Sequence, residues 1–64
     1  MSVKIIRLPA VIELTGLSRS SVYLRISNGE FPAQISLGGR AVGWVKKEVL
    51  LWLQEKIEAS RAGQ

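Results

Sequence analysis

The sequence contains no cysteine, no histidine and no aspartate, and its five acidic residues are all glutamates. Without cysteine there is neither a disulfide staple nor a thiolate metal site. Without histidine and aspartate, Ser-His-Asp and Cys-His nucleophile arrangements, imidazole metal sites and Asp-rich magnesium or calcium sites drop out as well. An enzyme is not expected, nor is a cofactor or a small-molecule ligand. Aromatics are scarce: two Trp, one Tyr and one Phe are too few for the stacking platforms that hold single-stranded nucleic acid. The longest apolar run, Val49 to Leu53, is five residues, whereas a membrane-spanning helix needs about 20. Lys4 and Arg7 interrupt the start of the chain, so no secretory signal is expected and the predicted location is cytoplasmic.

What is present fits one small domain over residues 1–64, ordered from about 4 to 60. Hydrophobic residues make up 47% and charged residues 22%, a globular composition rather than a disordered one. The core of such a chain is thin, because a domain of this size buries only about 60% of the surface its unfolded form exposes. Nine Lys and Arg against five Glu give a net charge of +4, which favours a polyanionic partner.

Along the chain, Val3 to Ile6 is short and β-branched, suiting an edge strand or an ordered arm. Pro9 fits the first turn of a helix that carries Val11, Ile12 and Leu14 and stops at Gly16. Ser18 is an N-cap candidate with Leu17 placed to staple the next helix, predicted from Arg19 to about Asn28. Val22 and Ile26 form its buried face, and Gly29 and Pro32 end it. From Ala33 to Val45 the period becomes two, with Gly38-Gly39 between Ile35, Leu37 and Val42, Trp44. A two-residue turn there pairs Leu37 with Arg40, Ile35 with Val42 and Ala33 with Trp44, leaving Arg40 at the tip. A last helix is predicted from about Lys46 to Ser60, with Val49, Trp52, Leu53 and Ile57 inward and residues 62–64 frayed. Trp44 and Trp52 are expected in the core. Helix, short turn, helix, hairpin and helix make a mainly helical α+β fold, a small winged helix-turn-helix with a two-stranded wing.

In that fold the second helix enters the major groove of double-stranded DNA. Arg19, Ser20 and Ser21 occupy its N-terminal turn; Leu24, Ser27 and Asn28 face outward, with Tyr23 and Arg25 on the flanks. Arg40 stands on the wing, where an arginine reaches backbone or minor groove. Lys46 is at most a backbone contact, and Arg7, with Lys4, either touches phosphate or guards a strand edge. Read blandly, the same helix is a capped element with a solvated face and Arg40 a solubilising tip; hairpin and charge balance together favour DNA. Leu50 and Leu51 fall outside the inward set and are a candidate protein interface, which supports an alternative reading as a small inhibitor of another regulator.

These residues resemble the AlpA-like regulators of prophages, relatives of excisionases and of the MerR-type DNA-binding domain. The resemblance spans Arg7 to Leu53. Its blocks are Leu8-Pro9 with Val11, Thr15-Gly16-Leu17-Ser18-Arg19-Ser20 with Val22-Tyr23, and Gly29-Glu30-Phe31-Pro32. They continue through Leu37-Gly38 with Arg40, Gly43-Trp44, Glu48-Val49 and Trp52-Leu53. It implies a bacterial, nucleoid-bound transcriptional regulator, an excisionase-like directionality factor, or both, with a second copy or a phage integrase as further partners. Leu24 departs from the pattern, since the family usually carries a basic residue directly after the Tyr.

Overall fold

The computed structural model describes residues 3–63; of the residues 62–64 expected to fray, Ala62 is instead the last residue of the final helix, and Gln64 lies outside the described residues. The element order is β1 (Ile5–Ile6), α1 (Leu8–Thr15), α2 (Arg19–Ser27), β2 (Ile35–Gly38), β3 (Ala41–Val45) and α3 (Lys46–Ala62). The fold is a small α+β arrangement of three helices on a three-stranded antiparallel sheet, as a winged helix-turn-helix requires. The sheet has the order β1-β3-β2, so the wing hairpin gains a third strand from the chain start.

The core takes one residue from each element except β2. Ile6, Val11, Val22, Trp44 and Val49 come from β1, α1, α2, β3 and α3, and Phe31 comes from the α2–β2 connection. Ile6 and Trp44 are register partners and face the same side of the sheet. Tyr23 meets the Trp44 ring edge-on at 6.3 Å, seating α2 over the middle of β3.

Both tryptophans do more than fill space. The Trp44 indole N–H donates to the Pro32 carbonyl at 3.1 Å, and the Trp52 indole N–H donates to the Glu30 carbonyl at 2.6 Å. Two rings from different elements thereby peg the irregular connection between α2 and β2. Phe31 lies edge-on to Trp52 at 4.8 Å. Trp52 itself is half-buried rather than core.

The wing departs from the expected register. Ile35 pairs with Gly43, Ser36 with Val42 and Gly38 with Ala41, with a bulge between Ser36 and Gly38. The turn is therefore Gly39-Arg40, not Gly38-Gly39, and Arg40 sits in it. Gly38, at φ 107°, spends its conformational freedom on the bulge, and Gly39, at φ 55°, opens the turn. A one-residue slip exchanges the faces of a strand. Ile35 thus lies on the side away from Trp44, and every residue of β2, Leu37 included, is exposed instead of lining the core.

Gly43 is buried on that outer face beneath Ile5 and Leu37. A Cβ there would stand 2.6 Å from the Ile5 Cγ2 methyl and 3.2 Å from the Ile6 carbonyl. Gly43→Ala is expected to push β1 off β3 and cost about 1–3 kcal/mol, an overpacking penalty read as a lowered thermal midpoint.

Candidate nucleic-acid interface

The approach to α2 is set by three local devices. Thr15 Oγ1 donates to the Val11 carbonyl at 2.8 Å and accepts the Leu17 N–H at 3.2 Å. Gly16 stops α1 in the left-handed conformation at φ 73°. Ser18, extended, then accepts the Ser21 N–H on its hydroxyl at 3.1 Å, capping α2. At the far end, Gly29 donates to the Ile26 carbonyl and Glu30 to the Arg25 carbonyl. With Gly29 at φ 72° this is a Schellman stop. The helix ends at Ser27, one residue earlier than expected, with Asn28 as its cap.

Between those ends α2 is anchored from one side. Val22 is fully buried, Tyr23 and Ile26 are half-buried against the core, and Ser20, Leu24, Ser27 and Asn28 are exposed. Leu24 is 62% exposed. Arg19 is exposed in the first turn, and its guanidinium carbon lies 5.8 Å from the centre of the Tyr23 ring. Ser21 is half-buried and engaged with Ser18 through both amide and hydroxyl. What α2 leaves uncovered is thus an arginine, small hydroxyls, one leucine and an amide, beside a helix N-terminus of positive potential.

The remaining candidate cations are dispersed. Arg40 is exposed in the wing turn. Lys46 is half-buried at the other end of β3, and its backbone N–H donates to the Lys4 carbonyl at 2.8 Å. Six residues of extended chain separate Arg40 from Lys46, about 20 Å. Arg7 is exposed as the N-cap of α1, just past the Ile6 end of β1, whereas Lys46 adjoins the Lys4 end. Arg40, Arg7 and Lys46 therefore stand at three separate points along the sheet.

Arg25 is less free than a flank position suggested. It is half-buried with its guanidinium carbon 5.8 Å from the centre of the Trp52 ring, and the exposed Lys56 places Nζ 5.5 Å from the same ring. The Lys56–Trp52 pair has the i, i+4 spacing of helix neighbours and was open to sequence reading. The Arg25–Trp52 contact, 27 positions apart, had no local signal. Further along α3, Ile57 is 45% exposed where an inward position was expected, because the helix runs past the body to Ala62. Leu50 and Leu51 are both exposed, but Leu51 lines a groove with Phe31 and Trp52 while Leu50 stands outside it.

Among the described residues no His, Cys, Asp or Glu cluster is arranged to hold a metal ion, and no helix is long and apolar enough to cross a membrane. Compared with known protein families, residues 4–57 match the family described as prophage CP4-57 regulatory protein (AlpA). The chain belongs to the AlpA family. The match runs from Lys4, ahead of β1, to Ile57 in α3 and so takes in the sheet, α1, α2 and every candidate position above. The AlpA family is one of regulatory proteins, not of enzymes. Two relatives bracket the chain. It is 45% identical over 60 residues to ORF88 of Enterobacteria phage P4, described as uncharacterized, covering 94% of this chain and 68% of that protein. It is 36% identical over 61 residues to the DNA-binding transcriptional activator AlpA of Escherichia coli K12, covering 86% of this chain and 87% of that one.

Proposed function

We propose that the protein is a regulator that binds double-stranded DNA, with the N-terminal half of α2 in the major groove and the Gly39-Arg40 turn on backbone or minor groove. The observation that carries this reading is the one-sided anchoring of α2: Val22 holds it to the core while its outer face stays polar and uncovered. The relative AlpA of Escherichia coli, described as a DNA-binding transcriptional activator, supports it independently. Arg19 and Ser20 approach base edges, where arginine favours guanine and serine either pairing. Leu24 on the same face suits apolar contact with a thymine methyl. Ser21, Ser27 and Asn28 line the approach, and Tyr23 donates its hydroxyl to phosphate.

Arg25, drawn over Trp52, contacts phosphate from the side of the helix. Arg40, Arg7 and Lys46 supply outer phosphate contacts at separated points of the duplex. These groups correspond to roughly four to six phosphates, so log K should fall against log salt with a slope of about −4 to −5. Fluorescence anisotropy of a labelled random duplex across a salt series measures that slope; no binding even at low salt overturns the reading. The same interface serves promoter control or, beside an integrase, excision. Recombination between attachment sites with an integrase present, set against transcription from a reporter promoter, separates the two.

A further inference from the structure

We infer that the open groove between α3 and the α2–β2 connection is a docking site for a basic, amphipathic segment of a protein partner. One wall is the α3 stripe that includes Glu48, Leu51, Trp52 and Glu55, positions that recur at three and four and share a helix face. The other wall is the connection from Gly29 to Ile35. Trp52 packed edge-on against Phe31 forms the floor. The indole hydrogen bonds to the Glu30 and Pro32 carbonyls hold the second wall in place before any partner arrives. Leu51 is 55% and Ile35 38% exposed along this groove, apolar surface left without cover.

The charge on the groove names the occupant. In a chain of net charge +4, the lining holds three of the five glutamates, Glu30, Glu48 and Glu55, and one of the nine cations, Lys56. Carboxylates in that number repel a nucleic-acid backbone and attract lysine or arginine. The apolar floor calls for side chains that enter beside Leu51 and Trp52, the arrangement of a helix laid in a groove. The stripe from Glu48 to Ala59 is about 16 Å long, enough for a partner helix of about three turns. Because the groove begins beyond the C-terminal stop of α2, it leaves the Arg19 end of that helix free. The inference does not depend on DNA binding.

The test uses a fluorescein-labelled designed helix of about 15 residues, with leucines on one face and lysines elsewhere, against a peptide of equal composition with the leucines scattered. Anisotropy should show the amphipathic peptide binding about tenfold tighter than the scattered one, with Leu51→Ser weakening it about fivefold. Glu48→Lys with Glu55→Lys should weaken it more than about tenfold, an effect that shrinks with added salt. All these positions are exposed, and melting curves matching the wild type establish that the variants fold. In nitrogen-15 spectra the Trp52 indole N–H signal should move on binding while that of buried Trp44 stays. Equal binding of both peptides, variants without effect, or shifts confined to other surfaces would overturn the proposal. So would a concentration-dependent dimer lost in Leu51→Ser, which would assign the groove to a second copy. Affinity of Leu51→Ser for duplex DNA within about twofold of wild type separates this site from the α2 interface.

Discussion

Trp44→Ala is expected to leave the protein unfolded at room temperature. Trp44 is 0% exposed, pairs with Ile6 across the sheet, meets Tyr23 edge-on and bonds the Pro32 carbonyl. Truncating a buried tryptophan costs about 3–5 kcal/mol in lost transfer energy and cavity. A single core in a chain this small rarely supplies more than about 3–5 kcal/mol in total. With one buried residue from most elements, no neighbour is large enough to close the void. Trp44→Phe separates the terms: it keeps most of the ring burial but orphans the Pro32 carbonyl, at a cost of about 1–3 kcal/mol. Far-UV circular dichroism and urea titration read both variants; a native, cooperatively melting Trp44→Ala protein would contradict the packing described.

Arg19→Ala should have the largest single effect on DNA affinity, about 1–3 kcal/mol or roughly 5- to 150-fold. Its exposed side chain sits in the capped first turn of α2, where the helix N-terminus adds to its attraction for the duplex. Two outcomes distinguish its role. Loss concentrated on a specific site, with the salt slope unchanged, marks a base contact. Uniform weakening across sequences, with the slope reduced by about one, marks a phosphate contact. Arg40→Ala should behave in the second way, because a flexible turn residue reaches backbone more readily than a fixed base edge. Arg25→Ala is a poorer probe, since it also strips one of two cations from the Trp52 ring.

The helix-turn-helix was legible in the sequence because its stops are local chemistry. Gly16 and Gly29 adopt the left-handed conformations their positions suggested, and Ser18 makes the cap its spacing to Ser21 allows. Val22, four residues before Ile26, pointed to the buried face of α2, and the outward Leu24 followed from the same periodicity. The wing was legible as a hairpin but not in register. Gly38-Gly39 offers two residues free to take positive φ, and sequence alone does not say which belongs to the turn and which to a bulge. The bulge at Leu37 then decided that Ile35 faces away from Trp44.

Contacts between distant segments were out of reach for a different reason. The Trp52–Glu30 hydrogen bond and the Arg25–Trp52 contact depend on how α3 crosses the α2–β2 connection. No periodicity encodes that crossing. The length of α3 beyond the body was likewise hidden, because Ile57 continues the apolar spacing although nothing packs on it closely enough to bury it.

The central claim is that α2 and the wing turn face DNA. Amide shift mapping of the nitrogen-15-labelled protein against a short duplex tests it most directly. The predicted result is that perturbations concentrate on Ser18 to Asn28 and on Gly38 to Ala41, with the Leu51 and Glu55 amides unmoved. Perturbations centred on the glutamate-lined groove of α3, or none at all with duplex in excess, would contradict it.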